Sequence, residues 1–572
     1  MFQFNPENPL IAQGDMSLLL EVNSPLYTEA RDALARFARL VKSPEHIHTY
    51  EVTPLSLWNA AASGMEAQEV CDAIGGFAKY PVPENLFIKV REWMGRYGLL
   101  KLIKEGEDLY LISDDKTIID QVVRLKRVMP FIEEQESDTR LRIDPENRGL
   151  LKQALIKARF PVEDLAGYRD GAALPIELRE ETLSGREFGL RPYQRDAAEI
   201  FYAAGGVNGG SGVLVLPCGA GKTVIGIASM SKVSQKTLIL TTNITALRQW
   251  KSEILDKTDL APDQIGEYSG EVKDIRDVTV TTYQLLTYRK SKTDEFLHMD
   301  VFNAEDWGLI IYDEVHMLPA PVFRSVANIQ ARRRLGLTAT LVREDGAEDD
   351  VFSLIGPKKF DMPWKTLEGQ GWIASARCIE VRVELPKDIK QEYAVVDRRE
   401  QFRIAAENPA KMGAVSRLIE RHRGDNILVI GDYLKQLNLV SEELKAPIIT
   451  GKTPNKEREK LYSDFKAKRI QVIVVSKVAD FAIDLPDANV AIQLSGAFGS
   501  RQQEAQRLGR VLRPKGEGIE NVAHFYSVVS HNTVEQEFAD ERHKFLTEQG
   551  YEYYYEFADA MENASSASPR KG

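Results

Sequence analysis

The chain has 572 residues, of which 43% are hydrophobic and 28% are charged, and its formal net charge is −11. A chain of this length is too long to fold around a single hydrophobic core, so we predict roughly three or four domains. The acidic balance excludes a basic coat over the whole surface, so nucleic-acid contact would have to come from local clusters. Cys71, Cys218 and Cys378 form no C-x-x-C pair, which excludes a disulfide framework and a zinc or iron–sulfur signature. The N-terminus has no basic leader, and no apolar run approaches roughly eighteen residues, so we expect no membrane contact and a cytoplasmic location.

Residues 1–180 show helical periodicity broken by turn signals. One helix is predicted after Thr53 and Pro54, and others over 67–77 and 84–97. A hairpin over 99–112 follows, so the region is predicted to be α+β and winged-helix-like, in contact either with nucleic acid or with protein. A solvated basic surface is expected from Arg124, Lys126, Arg127, Arg140, Arg142 and Lys152.

A glycine-rich stretch over 216–223 reads Leu-Pro-Cys-Gly-Ala-Gly-Lys-Thr between an apolar run and a helix-compatible run. That order predicts a P-loop, in which glycines admit a polyphosphate, the helix start presents N–H groups, Lys222 neutralises charge and Thr223 binds Mg²⁺. Leu216 stands where the general pattern has glycine, so the prediction depends on the shorter form from Gly219. A plain glycine-rich turn would not explain the Lys-Thr pair. The phosphate-binding candidates are Pro217, Cys218, Gly219, Ala220, Gly221, Lys222 and Thr223.

The residues around the P-loop predict a parallel sheet covered by helices. Arg191 and Gln194 precede a helix, and a glutamine amide can offer both a donor and an acceptor to an adenine edge. Apolar strands are predicted over 238–241, 278–282 and 309–312, with a helix over 245–255. The second of these strands ends at Thr282.

Asp313-Glu314-Val315-His316 follows the strand over 309–312. Two carboxylates at the end of a buried strand are costly to desolvate unless a cation lies there, and Mg²⁺·ATP would supply that charge. We expect Asp313 to hold the metal and Glu314 to polarise the attacking water. The alternative is an ordinary surface Asp-Glu pair. Downstream, Thr338 and Thr340 follow another predicted strand, and we expect their hydroxyls to sense the nucleotide state.

A second α/β unit is predicted beyond Pro363, with strands over 372–385, 426–430, 447–450 and 471–475 and a charged helical insertion over 387–407. Gly451 and Ser476 follow two of these strands, where a doubly wound sheet binds ligands and where amides and hydroxyls would contact phosphates. Arginines at 507, 510 and 513 recur every three residues and share a helix face, with a basic surface as the alternative. Residues 556–572 are expected to be a disordered tail.

The ordered set of Gln194, the P-loop, Asp313-Glu314, Thr338-Ala339-Thr340 and the 506–513 segment resembles the superfamily 2 helicases, and within them the bacterial and archaeal form of the xeroderma pigmentosum group B (XPB) family. The resemblance implies an α/β fold of two RecA-like parallel-sheet domains, over 187–365 and 366–555, with ATP and Mg²⁺ in the cleft between them. It also implies a thumb-like element near 387–407.

The resemblance further implies residue roles. Arg510 and Arg513 would be arginine fingers, and Gln506 would couple the nucleotide to the second domain. Arg343, Glu344 and Asp345, which by composition alone form a solvated loop, would lie at the strand-separating edge. The expected protein is a monomeric 3′ to 5′ DNA helicase or translocase in DNA repair, acting on single-stranded or forked DNA, in some relatives with a nuclease partner.

Two other readings remain open at this point. Backbone-directed contacts discriminate DNA from RNA poorly, so an RNA-dependent ATPase of the same superfamily is one alternative. The other is an ATP-gated scaffold that opens DNA for a nuclease without processive unwinding.

Overall fold

The computed structural model describes residues 4–42, 46–206, 209–217, 219–291, 296–319, 322, 326–327, 329, 332–339, 348–476, 488–495, 508, 522–548, 551 and 553–558. The chain divides into two compact units. The first contains residues 1–39, 49–216 and 221–362, and the second contains 40–48, 217–220 and 363–572.

The N-terminal region combines two small sheets with short helices. Its elements are β1 (Leu10–Ala12), β2 (Ser17–Glu21), α1 (Tyr27–Leu34), β3 (Arg39–Lys42), β4 (Ile47–Glu51), α2 (Pro54–Ala62), α3 (Ala67–Phe77), α4 (Glu84–Gly95), β5 (Leu100–Glu105), β6 (Asp108–Ile112), α5 (Lys116–Val122), β7 (Ile132–Ser137), β8 (Arg140–Ile143), α6 (Arg148–Lys157) and β9 (Val162–Asp164). The strand orders are β1-β2-β4-β3 and β7-β8-β6-β5-β9.

Three predicted helices are confirmed in this region as α2, α3 and α4. Thr53 caps α2 through its hydroxyl, which accepts a hydrogen bond from Ser56 N–H at 3.1 Å. The predicted hairpin is also confirmed, because β5 and β6 are antiparallel. It is not a free two-stranded wing, however, since β7, β8 and β9 extend it to five strands.

The expectation of helical structure from the very start of the chain is wrong. The first four strands are only three to five residues long, too short for a period to be read from sequence. Ser17–Glu21 alternates between half-buried and buried positions, with Leu18 and Leu20 in the core. Leucine is a good helix former, and here the packing of alternate residues overrides that propensity.

Lys152, expected on a solvated surface, is buried instead. Its Nζ lies 2.8 Å from Asp164 Oδ2, and Arg148 Nη2 lies 2.7 Å from the other carboxylate oxygen. Burial lowers the pKa of Lys152 to about 8 against the opposing effect of Asp164. A run of basic residues does not reveal which member will meet an acidic partner 12 residues away.

The first parallel sheet lies in the unit that ends at residue 362. Its elements are α7 (Pro192–Tyr202), β10 (Ser211–Val215), α8 (Lys222–Val233), β11 (Thr237–Thr241), α9 (Ile244–Lys257), β12 (Ile265–Tyr268), β13 (Val278–Thr282), α10 (Tyr283–Leu286), β14 (Leu309–Asp313), β15 (Arg333–Thr338), α11 (Glu348–Leu354) and β16 (Lys358–Asp361). The seven strands follow the order β12-β13-β11-β14-β15-β10-β16. Their described pairings are all parallel, as predicted.

The N-terminal region packs onto the outer strand of this sheet. The Asn59 side chain of α2 accepts a hydrogen bond from Lys358 N–H of β16 at 2.9 Å. Gln153 of α6 donates to Asp350 of α11 at 3.1 Å. Helices α2 and α6 of the N-terminal region therefore pack against the elements of the first parallel sheet.

The second parallel sheet lies in the other unit. Its elements are α12 (Trp364–Gly369), β17 (Ser375–Val383), α13 (Lys387–Val395), α14 (Arg398–Ala406), α15 (Lys411–Arg421), β18 (Ile427–Gly431), α16 (Leu434–Leu444), β19 (Ile448–Ile449), α17 (Asn455–Lys466), β20 (Val472–Ser476), β21 (Val490–Gln493), β22 (Val522–Ser530), α18 (Val534–Glu548) and β23 (Tyr553–Phe557). The strand order is β19-β20-β18-β21-β22-β17-β23.

All the described pairings of this second sheet are parallel. The predicted strands over 372–385, 426–430, 447–450 and 471–475 are confirmed as β17, β18, β19 and β20. The insertion over 387–407 is helical, as predicted, and consists of α13 and α14. Over the described part of the chain, no helix combines the length and the apolar character needed to cross a bilayer.

Candidate active site

Three neighbouring strands of the first sheet end at the same edge with the predicted nucleotide-site residues. The P-loop follows β10, Asp313 is the last residue of β14, and Thr338 is the last residue of β15, which lies between them. Leu216 N–H donates to Thr338 O at 2.9 Å and extends the ladder past the end of β10. The parallel sheet therefore brings together residues that lie more than 100 positions apart in the sequence.

The P-loop has the backbone conformation that its glycines were predicted to supply. Gly219 and Gly221 have φ of 84° and 80°, in the left-handed region that favours glycine. A Cβ at Gly221 would lie 2.6 Å from Gln194 Nε2, so glycine is also needed for that side chain to approach the loop. Lys222 and Thr223 are the first two residues of α8. Cys218 lies outside the described residues.

Lys222 makes the central ion pair of the site, because its Nζ lies 3.1 Å from Glu314 Oε1. The two side chains keep 11% and 15% of their surfaces exposed, so the pair remains open to solvent on one side. Glu314 Oε2 is buried and has no hydrogen-bond partner among the described residues. One carboxylate oxygen is thus held in place while the other remains unsatisfied.

The backbone of Glu314 is itself unusual, with φ at 50° and ψ at 57° immediately after β14. A non-glycine residue in this region costs about 1–3 kcal/mol and is typical of functional sites. Burial favours the protonated form of Glu314, but the charges of Lys222 and His316 outweigh it and lower the pKa. Glu314 is therefore ionised at neutral pH.

Asp313 is held by a side chain that the sequence interpretation had not assigned to the site. Trp250 Nε1–H of α9 donates to Asp313 Oδ2 at 2.9 Å. Trp250 is 1% exposed, and a Cβ at Gly226 would lie 2.4 Å from its ring. Burial, followed by the charge of Glu314, raises the pKa of Asp313 to about 6, which a cation nearby would reverse. One general rule could have pointed to this contact from the sequence: a buried indole N–H needs a hydrogen-bond acceptor.

His316 connects two of the predicted motifs. Its Nδ1 lies 2.6 Å from Thr338 Oγ1, and 3.5 Å from Glu314 Oε2. His316 and Thr338 are 4% and 0% exposed. The hydroxyl that was expected to sense the nucleotide therefore contacts the histidine of the Asp-Glu-Val-His stretch, which is a coupling that sequence alone had not indicated.

The start of α7 places Gln194 and Arg191 next to the P-loop. Gln194 Oε1 accepts a hydrogen bond from Arg191 N–H at 3.0 Å, and Arg191 Nη1 donates to Tyr193 OH at 3.1 Å. Gln194 is 4% exposed. The capping bond fixes the amide so that its Nε2 faces Gly221.

The remaining candidates have varied surroundings. Thr282 is buried and caps α10, with its hydroxyl accepting from Leu285 N–H at 3.3 Å. Ser476 is the buried last residue of β20, and Gly451 lies in an exposed turn after β19. The other predicted residues lie outside the described part of the chain: Thr340, Arg343, Glu344, Asp345, Gln506, Arg510 and Arg513.

The donor set fits a magnesium nucleotide. Thr223 and Asp313 provide a hydroxyl and a carboxylate, the hard oxygen ligands that Mg²⁺ prefers in partnership with phosphates. Lys222 provides a fixed positive charge at the start of a 12-residue helix. The unsatisfied Glu314 Oε2 is an acceptor that a water molecule could fill.

Comparison with known proteins agrees with this arrangement. Residues 367–567 match the ERCC3/RAD25/XPB C-terminal helicase family, 187–343 match the type III restriction enzyme res subunit family, and 10–136 match a family described as a helicase conserved C-terminal domain.

Three relatives extend the likeness over the whole chain. The DNA 3′-5′ helicase XPB of Mycobacterium tuberculosis is 50% identical, over 97% of this chain and 99% of its own. Its counterpart from Kineococcus radiotolerans is also 50% identical, over 97% and 98%. The general transcription and DNA repair factor IIH helicase/translocase subunit XPB of Encephalitozoon cuniculi is 33% identical, over 96% and 82%.

The chain has two parallel α/β sheets, and in the first a P-loop and an Asp-Glu pair lie at the ends of the two strands on either side of β15. These features define an enzyme of the two-domain helicase class. Within that class, the chain belongs to the XPB helicase family.

Proposed function

We propose that this protein is an ATP-dependent DNA helicase or translocase with 3′ to 5′ polarity that acts in DNA repair. The observation that carries the proposal is the Lys222–Glu314 pair beside Asp313, at the edge of a parallel sheet, in a chain 50% identical to a protein named as a DNA 3′-5′ helicase. The substrate would be single-stranded or forked duplex DNA, and the protein would act as a monomer.

To hydrolyse ATP, the chain must hold a triphosphate and position a water molecule. We propose that Lys222 and the first N–H groups of α8 bind the phosphates, while Thr223 and Asp313 hold Mg²⁺. The bound metal would polarise the phosphate oxygens. Glu314 Oε2 would accept a hydrogen bond from the attacking water, since this oxygen lacks a described partner and its carboxylate is ionised.

The neighbouring side chains would keep this geometry fixed. Trp250 orients Asp313 through its indole N–H. Gln194, held by Arg191 N–H, is proposed to read the adenine. His316 would relay the state of Glu314 to Thr338, because it lies within 3.5 Å of both.

The role of the arginine-rich segment is proposed from its sequence. Arg510 and Arg513 would neutralise charge in the transition state, an effect of about 10³–10⁵ in rate at comparable sites, and Gln506 would couple that step to the second sheet. Thr340, Arg343, Glu344 and Asp345 would link hydrolysis to strand separation. Thr282, Gly451 and Ser476 would contact the DNA backbone, and a nuclease partner is part of the same prediction.

The proposal is tested by ATP hydrolysis with DNA and RNA of matched length, and by strand displacement on forks with a 3′ or a 5′ single-stranded tail. We expect DNA to stimulate hydrolysis about tenfold more than RNA, and only the 3′-tailed fork to be opened. Arg343→Ala should retain hydrolysis and lose displacement. Equal stimulation by RNA would replace the proposal with an RNA-dependent ATPase, and hydrolysis without any displacement would favour a DNA-opening scaffold.

A further inference from the structure

A cluster of possible metal ligands lies in the second unit, among residues that the proposed function does not use. Glu380 belongs to β17, while Asp540 and His543 belong to α18. The two helix residues are three positions apart and therefore share a face. One ligand atom from each of the three residues lies within 4.8 Å of the other two.

Two members of the cluster are buried and incompletely satisfied. Glu380 is 0% exposed, and its Oε1 accepts a hydrogen bond from Arg382 Nε at 2.6 Å, while its Oε2 has no hydrogen-bond partner among the described residues. His543 is 4% exposed, and its ring nitrogen nearest Glu380 Oε2 is Nδ1 rather than the unpartnered Nε2, so the carboxylate oxygen is the atom that marks the proposed site. Buried polar atoms without partners are rare and call for a missing group.

The spacing of the two buried groups is that of metal ligands. His543 Nδ1 lies 3.5 Å from Glu380 Oε2, at the outer limit of a hydrogen bond. Two ligands at about 2.1 Å from a tetrahedral zinc ion are about 3.4 Å apart. The pair therefore has the separation of two corners of a zinc tetrahedron.

The surroundings hold these ligands in position. The His543 ring stacks on Tyr553 of β23 with a centroid distance of 3.7 Å and an interplanar angle of 25°. Arg382, which fixes one Glu380 oxygen, itself packs over the Tyr555 ring at 4.3 Å. Such outer contacts orient ligands in metal sites. Asp540 is exposed and offers a route from solvent.

We propose that Glu380, Asp540 and His543 form a structural site for a divalent transition-metal ion, with Zn²⁺ as the best match, which ties α18 to β17. The mixture of imidazole nitrogen and carboxylate oxygen suits zinc, whereas Mg²⁺ and Ca²⁺ prefer oxygen alone. The ion is distinct from the magnesium of the nucleotide site. It would hold α18 and, through Tyr553, the strand β23 against the sheet.

Two arginines near the cluster offer an alternative to a metal ion. Arg382 and Arg542 lie near the cluster and could balance the two carboxylates without an ion. The competing account is therefore a metal-free cluster held by these arginines.

Binding of Co²⁺ as a spectroscopic stand-in for Zn²⁺ decides between the two accounts. The full chain would be stripped with a chelator and titrated with Co²⁺ in excess Mg²⁺, which fills oxygen-only sites. We expect one equivalent to bind with the strong visible absorption of tetrahedral cobalt, and Zn²⁺ to displace it. Asp540→Asn and His543→Gln should weaken binding at least tenfold. The matched control is Glu541→Gln, an exposed change on the same helix.

The second measurement is the unfolding midpoint with and without Zn²⁺. Zinc should raise the midpoint of the wild-type chain and of Glu541→Gln, and leave that of Asp540→Asn unchanged. Absence of the cobalt absorption in the wild-type chain, or equal cobalt affinity in the wild type and Asp540→Asn, would overturn the proposal and leave the arginine-balanced cluster. ATP hydrolysis is expected to persist in Asp540→Asn, so failure here is separable from failure of the proposed function.

Discussion

Lys222–Glu314 in the first unit and Lys411–Glu535 in the second are lysine–glutamate pairs near the ends of sheet strands, and the two pairs differ in how completely they are satisfied. Lys222 and Glu314 in the first unit are 3.1 Å apart, with 11% and 15% of their side chains exposed and one carboxylate oxygen unsatisfied. Lys411 and Glu535 in the second unit are 2.7 Å apart, and both side chains are 1% exposed.

In the second pair, Lys411 Nζ and both carboxylate oxygens of Glu535 have hydrogen-bond partners. Glu535 Oε2 also accepts a hydrogen bond from Ser530 N–H at 2.9 Å, and Lys411 Nζ donates to Leu494 O at 2.7 Å. A pair with every oxygen satisfied holds α15 and α18 to the end of β22 and to Leu494, the residue after β21. An incomplete pair leaves capacity for a ligand. The same two residue types thus serve structure in one unit and, we propose, chemistry in the other.

We expect the largest effect from Lys222→Ala, which removes the cation of the first lysine–glutamate pair. We expect ATP hydrolysis to fall about a thousandfold, because a preorganised charge at a reacting phosphate is lost. The unfolding free energy should change little, since the pair is partly solvated. Hydrolysis rates and denaturant unfolding measure both effects. Lys232→Ala, at the other end of α8, serves as the control, and a similar loss in that variant would contradict a specific role for Lys222.

Lys411→Met should show the opposite pattern. Removal of one partner leaves the Glu535 charge buried, and we expect the second unit to lose about 3–5 kcal/mol in unfolding free energy. The double change Lys411→Met with Glu535→Leu should recover most of that loss, because no charge remains buried. Denaturant unfolding measures both variants. If the single variant is as stable as wild type, the pair is not the structural one.

Trp250→Phe tests the orientation of Asp313 in the first site without removing any charged group. It removes the indole donor to Asp313 and retains most of the ring volume. We expect hydrolysis to fall roughly tenfold, about the value of one hydrogen bond to a charged group. The apparent affinity for Mg²⁺ during turnover should weaken with it. A drop in folding stability with unchanged hydrolysis would mean that Trp250 serves packing alone.

Ser476→Ala is expected to have the smallest effect on stability. Its Oγ is buried without a hydrogen-bond partner among the described residues, so its loss should cost under about 0.5 kcal/mol. Ser495→Ala is the comparison, because Ser495 Oγ accepts from Asp432 N–H at 2.8 Å and should cost about 1 kcal/mol. If Ser476 contacts DNA, its variant should need a higher DNA concentration for half-maximal hydrolysis.

The sequence predicted the parts of this fold that depend on local pattern. Apolar runs identified β10, β11, β13, β14, β15 and β17 to β20 but missed β12 and β16, and Thr53 and Pro54 identified the start of α2. The Lys-Thr pair at the start of α8 and the Asp-Glu pair at the end of β14 indicated the site, because both lie next to the ends of buried strands. Leu216, which departs from the general P-loop pattern, continues the ladder of β10 through its N–H.

Local sequence patterns did not predict the contacts between segments that are distant in the sequence. Trp250 and Asp313 are 63 positions apart, and no local pattern relates an indole on a helix to a carboxylate at a strand end. The same applies to Lys411 and Glu535, which are 124 positions apart. The short strands β1 to β4 were missed because segments of five residues or fewer are too short to show a helix or strand period.

The most direct test of the central claim is Glu314→Gln, which keeps the shape of the side chain and removes its charge. The account predicts that ATP binds within a few-fold of the wild-type affinity, and that single-turnover hydrolysis falls at least about a hundredfold. Hydrolysis at the wild-type rate in this variant would show that the unsatisfied carboxylate oxygen beside Lys222 does not activate water.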